Sequence, residues 1–531
     1  MKTDVIKRAE VFAAIVISLL ILFLLIVRAR HAGGLWRDEC ATMRLATIPT
    51  SVAMSWSFPF PLLLSLIVRV HSSLFGISDL SLRCLGVGTG VALIGVAWLS
   101  ARWTRGGAPL ILLSVLGLNA TFLTWGTTIR GYGLGSVAIV LAVSLAARVL
   151  NNPTRANLIA LLLTFLAGPQ LLVHDAALML AIASAAIAVC VIRRRWKLAL
   201  ILLVMAGVTI LSCLPFLVLN VPGNSNIVLK YPTSFAGLWY NFKIACGPPQ
   251  WLAPMVWSAL VCVALGGAIY RLAATRRAPP SRESNLLLFG ISVVVISAAT
   301  YFVFLRVLNY WPHPWYYLPL LGVMAAAIDL IIGTLSTFRG AGFARLVFAI
   351  AISPVLAFAT WPKLIERQTN MDMIAHSLEE NAAPSDLIVV NPWDRGVSFN
   401  WYYHGSARWV TVPMMSEYRI HRYDLLKAKM MSANPLDDLF ESIAQTLRSG
   451  RQVWLVGGAQ WLKPGEIPHW LPPAPNSEFG WNNDAYRNSW SQQLGAFLQQ
   501  HVEQAEISPA PGISVNEVEK EPVWRLAGWH E

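Results

Sequence analysis

Long uncharged apolar runs, separated by short polar stretches, occupy the first two thirds of the chain. A run of about 20 apolar residues is long enough to cross a bilayer as a helix. The pattern predicts eleven such spans, near residues 11–27, 84–101, 108–125, 132–149, 157–172, 175–192, 197–219, 251–270, 285–305, 315–334 and 343–361. We therefore expect a mainly α-helical, polytopic transmembrane bundle over residues 1–362.

The pattern changes after the last of these runs, where charged residues become frequent and apolar runs become short. Three β-like runs, Asp386–Val390, Trp409–Val412 and Gln452–Val456, alternate with helical segments such as Pro435–Ser449. Strands that alternate with helices are typical of α/β domains. Residues 363–531 are therefore predicted to form a small α/β domain.

Charge refines this picture and predicts an orientation. The chain has 531 residues, 56% of them hydrophobic and 13% charged, with a formal net charge of +13. Residues 363–531 hold 14 Lys and Arg against 20 Asp and Glu, so the positive excess lies in the membrane region. With a cytoplasmic N-terminus, every predicted inner loop is basic, as the positive-inside rule requires. This pattern favours cytoplasmic loops over nucleic-acid binding, and the odd number of spans makes residues 363–531 extracytoplasmic.

Acidic residues are scarce before residue 363, and two of them are adjacent. The acidic residues of this region are Asp4, Glu10, Asp38, Glu39, Asp79, Asp175, Glu283 and Asp329. Carboxylates near a bilayer are costly and are commonly functional. A carboxylate in the Asp38-Glu39 pair is a candidate general base, or part of a divalent cation site with a histidine. The alternative is a solvated acid paired with Arg37 or Arg44.

Four motifs, taken in chain order, resemble those of GT-C glycosyltransferases. The likeness is to the family of protein O-mannosyltransferases and the lipid A aminoarabinose transferase. The segment Leu35–Ala41 (LWRDECA) resembles the family's first-loop Asp-Glu motif, and Phe75–Arg83 (FGISDLSLR) resembles its FG-x-S-x-x-x-x-R segment. Arg130-Gly131-Tyr132 is similar to its Arg-x-Tyr motif, and Pro314–Leu320 (PWYYLPL) is similar to its late RYLLP segment.

The resemblance implies a GT-C fold and an inverting sugar transfer from a polyprenyl-phosphate donor to an acceptor hydroxyl on a glycan, lipid or protein. Asp38 would act as base, with Glu39 beside it in the catalytic motif. The residues expected to bind the donor phosphate or the substrate are Arg130, Tyr132, Lys230, His174, Asp175, His313 and Tyr316. Arginine binds phosphate with two donors and lysine acts as a point charge. Asp175 is either a second acid or a cap for the following helix.

Two positions depart from the family pattern and bear on metal dependence. Thr128 stands where relatives often carry Glu, and Trp315 stands where they carry Arg before the late Tyr. The first change removes a potential metal ligand, so a requirement for Mg²⁺ or Mn²⁺ stays open and no metal ligands are assigned. No other cofactor is implied. The six cysteines lack CxxC spacing, which argues against zinc, and pairing of Cys40 with Cys246 stays open.

Two other classes of function compete with the transferase. A transporter or flippase of a lipid-linked or small polar substrate would have broken helices in corresponding halves, and the sequence shows no such symmetry. A non-catalytic, membrane-anchored envelope assembly protein would not require its acids. The predicted topology fits a bacterial inner membrane with the tail in the periplasm. The sequence does not select the sugar, the acceptor, the oligomeric state or the size of the transferred glycan.

Overall fold

A computed structural model describes residues 3–104, 107–229, 233–308, 310–336, 340–475, 481–508 and 512–531. Its α-helices are α1 (Thr3–His31), α2 (Arg37–Thr47), α3 (Thr50–Trp56), α4 (Leu62–Phe75), α5 (Asp79–Thr104), α6 (Leu110–Leu112), α7 (Gly131–Asn151), α8 (Arg155–Leu171), α9 (Asp175–Ile192), α10 (Trp196–Cys213), α11 (Phe235–Ala245), α12 (Ala253–Ala274), α13 (Arg282–Leu308), α14 (Leu318–Leu335), α15 (Ala341–Ile365), α16 (Met371–Asn381), α17 (Gly396–Tyr402), α18 (Tyr423–Met431), α19 (Asp437–Arg448) and α20 (Asn483–His501). Its strands are β1 (Leu387–Val390), β2 (Arg408–Thr411), β3 (Val453–Val456), β4 (Gln504–Ile507) and β5 (Val523–Ala527).

The chain divides into two compact units. The membrane unit comprises Met1–His31, Pro61–Leu217 and Pro232–Ile365. The tail unit comprises Glu366–Glu531 together with two upstream segments, Ala32–Phe60 and Val218–Tyr231. The acidic pair is carried by α2 and therefore belongs to the tail unit.

The membrane unit confirms the prediction of a polytopic helical bundle. Among the described residues, nine helices are long and apolar enough to span a bilayer, namely α1, α5, α7, α9, α10, α12, α13, α14 and α15. They coincide with nine of the eleven predicted spans. The predicted span 157–172 is α8, a 17-residue helix that contains Pro169. The most buried of the nine are α7 and α14. In their most apolar stretches, 78% and 83% of the residues, respectively, are buried inside the protein.

The predicted span 108–125 is an interrupted helix. The short α6 is followed by two π-helical segments, Leu113–Gly117 and Phe122–Gly126. Asn119 lies at the break, where its side-chain oxygen accepts the backbone N–H of Phe122 at 3.0 Å. Its amide nitrogen donates to the carbonyl oxygen of Cys246 at 2.8 Å. An asparagine that satisfies backbone groups in this way competes with regular helical hydrogen bonds, which explains the interruption.

The tail unit contains a five-stranded mixed sheet of order β2-β1-β3-β5-β4. The three predicted strands are observed as β1, β2 and β3, and the predicted helix over Pro435–Ser449 is α19. β1 pairs in parallel with both β2 and β3, whereas β5 pairs antiparallel with β3 and β4. The pattern analysis did not predict β4 and β5, because β4 is exposed along its whole length and has no buried face to produce alternation.

Each face of the sheet is covered by its own apolar core. Successive residues of a strand point to opposite faces. Leu387 and Val389 pack with residues of α19 and α20 on one face, and Ile388 and Val390 pack with residues of α16 and α17 on the other. This double burial explains why β1 and β3 are uninterrupted apolar runs in the sequence.

Candidate functional site

One group of candidate residues lies at the N-terminal end of α2 in the tail unit. Glu39 is fully buried, and its Oε2 accepts the backbone N–H of Trp36 at 3.3 Å. A glutamate in the third helical position that accepts this N–H caps the start of a helix. Glu39 thus has a structural role in fixing the first turn of α2.

Arg37 is committed to partners other than the neighbouring Asp38. Its Nε lies 3.1 Å from Asp394 Oδ2, and its Nη1 lies 3.2 Å from Glu519 Oε2. The backbone N–H of Arg37 also donates to Glu519 Oε2 at 3.1 Å. Arg44 lies over the ring of Trp401, with its Cζ 4.9 Å from the ring centroid. These contacts argue against the alternative in which Arg37 or Arg44 serves mainly to neutralise Asp38.

Asp38 meets a histidine that the sequence analysis did not identify. Its Oδ1 lies 3.7 Å from Nε2 of His421, and the Asp38 side chain remains 25% exposed. The His421 ring is stacked on Tyr423 at 5.9 Å and meets Trp393 edge-on at 6.0 Å between centroids. No local signal marked His421, because it is brought to Asp38 only by the folding of a distant part of the chain.

Asp394 follows the carboxyl end of β1 and is the most heavily paired acid near α2. Besides Arg37, it lies 3.1 Å from Nη1 of Arg395 and 3.5 Å from Nη2 of Arg487. Burial alone would raise the pKa of Asp394, but Arg487, Arg395 and Arg37 outweigh it and hold the pKa well below its usual range. Arg395 in turn forms an ion pair with Glu521. The start of α2 is therefore held by a network of paired charges.

A separate group of candidate residues lies in the membrane unit, where the ring of Tyr316 contacts several predicted residues. Its centroid lies 5.6 Å from Tyr132, 5.2 Å from His174 and 5.9 Å from His313. Arg130 immediately precedes α7, and its Cζ lies 6.0 Å from the centroid of Tyr132. The structure therefore brings Arg130, Tyr132, His174, His313 and Tyr316 together in one cluster.

Trp315, which replaces the arginine of relatives, continues this aromatic cluster. Its ring stacks on His313 at 4.4 Å with an interplanar angle of 8°, and it contacts Trp125 at 4.0 Å with the two rings tilted by 30°. Trp315 and Tyr316 are buried, whereas an interfacial aromatic belt faces lipid and headgroups. Trp315 therefore supplies packing surface within this cluster.

Asp175 begins α9 and is fully buried beside His174. Among the described residues, neither carboxylate oxygen of Asp175 has a hydrogen-bond partner, so its side chain does not cap α9 by accepting a backbone N–H. His174 lies in the turn between α8 and α9. Burial, followed by the positive charge of Arg130, lowers the pKa of His174 to about 4. His174 is consequently neutral at physiological pH and does not add a positive charge to this group.

The remaining candidates are less informative. Lys230 lies outside the described residues. All six cysteines, including Cys40 and Cys246, are free thiols. In the part of the chain that the structure describes, no three His, Cys, Asp or Glu side chains gather as a bound metal ion requires.

Comparison with known proteins identifies the fold. No protein-family model matches the sequence, and no curated protein matches it in sequence. In structure, the chain is similar to ArnT from Cupriavidus metallidurans bound to undecaprenyl phosphate, with a TM-score of 0.53 and 13% identity over 96% of this chain and 97% of that one. A weaker likeness, with a TM-score of 0.45 and 9% identity over 85% and 69% of the two chains, is to the Archaeoglobus fulgidus oligosaccharyltransferase tethered to an acceptor peptide. The chain therefore has the ArnT-like GT-C fold that its motifs predict, and it is an integral, multi-pass membrane protein.

Proposed function

We propose that this protein is a membrane glycosyltransferase that moves a sugar from a polyprenyl-phosphate donor to an acceptor hydroxyl, with inversion of configuration. The observation that carries the proposal is the structural likeness to ArnT, which extends over nearly the whole of both chains. That ArnT structure contains bound undecaprenyl phosphate. The match between four sequence motifs and the family pattern, including the acidic pair in the first loop, supports the same assignment.

Asp38 is the proposed general base. Its side chain is partly exposed, and Arg37 is engaged with Asp394 and Glu519. Asp38 would take the proton of the acceptor hydroxyl while the hydroxyl oxygen attacks the anomeric carbon. The bond between that carbon and the phosphate oxygen breaks on the opposite face, and polyprenyl phosphate leaves as the anion. The proton stays on Asp38 until it passes to water.

The membrane unit is the proposed site of the donor phosphate. Arg130 is the best candidate for binding it, because a guanidinium donates two parallel hydrogen bonds to phosphate oxygens. Tyr132 contacts Arg130, and Tyr316 contacts both Tyr132 and His313, so polar ring groups lie in the same aromatic cluster as Arg130. A cation in an aromatic cluster suits a ligand that joins a charged phosphate to a lipid chain. Lys230 and Asp175 remain proposed substrate contacts.

The proposed setting is a bacterial inner membrane. The basic loops between the predicted spans favour a cytoplasmic N-terminus. Residues 363–531 would then form an extracytoplasmic α/β domain, and residues 1–362 would form a transmembrane glycosyltransferase domain. The acceptor would be a glycan, a lipid or a protein on the extracytoplasmic side.

Mass spectrometry of envelope lipids and glycans tests the function directly. Cells that produce the wild-type protein, Asp38→Asn or no protein are compared. The wild type is expected to add a sugar mass that is missing without the gene. Asp38→Asn is expected to lower its formation by about 100-fold or more, because loss of a general base typically costs two to four powers of ten in rate.

The matched control is Asp438→Asn, which removes an acid that is 80% exposed on α19 of the same unit. It is expected to leave product formation unchanged. The amount of each variant in the membrane is measured in parallel. Normal product formation by Asp38→Asn, or an unchanged set of glycans without the gene, refutes the proposed function.

A further inference from the structure

We propose that His421 is a positioning residue that orients the carboxylate of Asp38 for catalysis. The inference rests on the proposed function and deepens it, because it makes a residue of the C-terminal part of the chain necessary for turnover. Asp38 and His421 both belong to the tail unit, so their contact is internal to one compact body.

The side chains of His421 and Asp38 are in direct contact. His421 Nε2 lies 3.7 Å from Asp38 Oδ1, and its side chain is 14% exposed. Contacts of this kind are often long without substrate and shorten in the reacting complex. A displacement of about 1 Å at a reacting group can lower a rate by about 100-fold, so the orientation of this carboxylate matters.

His421 is itself held in place by its neighbours. Its ring contacts Trp393 edge-on and is stacked on Tyr423, and these two rings also contact each other, with centroids 5.5 Å apart. The backbone N–H of Tyr423 donates to the carbonyl oxygen of Pro222 at 3.0 Å, which ties this loop to another segment of the tail unit. A side chain that is packed in a cluster of rings can fix the group it contacts.

The residues around Asp38 come from loops at one edge of the sheet. Trp393 and Asp394 follow the carboxyl end of β1, and His421 follows that of its parallel neighbour β2. Functional groups of parallel sheets gather at this edge. Arg37, next to Asp38 in the sequence, is bound to Asp394 in the loop after β1. The loops after two adjacent strands thus hold both Asp38 and its neighbour.

The experiment compares His421→Gln with His421→Ala in isolated membranes. The donor probe is the polyprenyl-phosphate sugar fraction extracted from cells that lack the protein. His421→Ala is expected to lower kcat by roughly 30-fold, with KM for the donor within about twofold of wild type, because the base is misplaced and donor binding is intact. The amide nitrogen of Gln lies near the position of Nε2, so His421→Gln is expected to keep at least about one third of the wild-type kcat.

His376→Ala is the matched control, since it removes a histidine of the same unit whose side chain is 72% exposed, and it is expected to leave kcat unchanged. An unchanged kcat in His421→Ala overturns the inference, as does a rise in KM alone. A His421→Gln variant as slow as His421→Ala also overturns it, because orientation would then not be the role of His421. If Asp38→Asn is inactive while His421→Ala is fully active, only this inference fails. If Asp38→Asn is active, the proposed function fails as well.

Discussion

The group around Asp38 in the tail unit is built from paired charges, whereas the group around Tyr316 in the membrane unit is built from aromatic rings and close helix contacts. Arg37 meets Asp394 and Glu519 within hydrogen-bonding distance. In the membrane unit, Asp175 has no hydrogen-bond partner among the described residues. The difference teaches that the two groups are held in place by different forces. Charge removal should therefore damage the first group, and added volume should damage the second.

The largest expected effect is on the stability of the tail unit. Arg37→Ala leaves the buried carboxylates of Asp394 and Glu519 without one of their partners. Removing one member of a buried ion pair costs about 3–5 kcal/mol. We expect the free energy of opening of the tail unit to fall by about 3 kcal/mol, toward the lower end because Arg395 and Arg487 still contact Asp394. Hydrogen exchange of the backbone amides in β1 and β3 measures this change.

Arg448→Ala is the matched control for Arg37→Ala. Arg448 pairs with Glu531 at 3.2 Å, but the two side chains are 46% and 81% exposed. An exposed ion pair contributes about 1 kcal/mol or less, so exchange in β1 and β3 should change little. Equal effects of the two substitutions would contradict the view that buried charge pairing holds the tail-unit group.

The next largest effect is expected in the membrane unit, where Gly135 of α7 lies against Asp175 of α9. A Cβ placed on Gly135 of α7 would lie 2.2 Å from Oδ2 of Asp175, which is too close for any contact. Gly135→Ala should therefore displace the fully buried carboxylate of Asp175 and lower the free energy of unfolding by about 1–3 kcal/mol. Thermal unfolding of the purified protein in detergent measures the loss.

Two further variants separate a local clash from a general effect of alanine. A Cβ on Gly88 of α5 would meet nothing within 4 Å, so Gly88→Ala should leave the melting temperature unchanged or slightly raised. Adding Asp175→Ala to Gly135→Ala should restore part of the lost stability, because it removes the clashing carboxylate. A double variant less stable than Gly135→Ala would mean that Asp175 stabilises the unit by interactions other than this packing.

The fold was largely predictable because hydrophobic pattern reports burial directly. Apolar runs predicted the spanning helices, and the buried runs of β1 and β3 predicted two central strands. The interruption near Asn119 was not predictable, because it depends on carbonyl groups of residues far along the chain. The strand β4 was missed because an exposed edge strand carries no apolar pattern.

The site was predictable only where its residues form local motifs. The pair Asp38-Glu39 was found from its position after the first span, but the capping role of Glu39 was hidden because the capped residue is Trp36 rather than Ser or Thr. His421 was missed because only the folded tail unit brings it to Asp38. Spacing along a sequence cannot reveal a contact between segments so far apart.

The smallest effect concerns the positive charge among the aromatic rings. Arg130→Ala is expected to raise KM for the polyprenyl-phosphate donor by about tenfold with a smaller change in kcat, because a hydrogen bond to a charged group contributes about 1.5–3 kcal/mol. Arg130→Lys should fall between Arg130→Ala and wild type, since lysine keeps the charge without the two parallel donors. Arg155→Ala, at an exposed arginine that begins α8, is the control and should leave KM unchanged. The affinity for undecaprenyl phosphate, measured by quenching of tryptophan fluorescence, should fall in each variant to the extent that KM rises. If Arg130→Ala altered only acceptor use, the phosphate would have to bind elsewhere, and the aromatic group of the membrane unit would be a packing feature rather than a donor site.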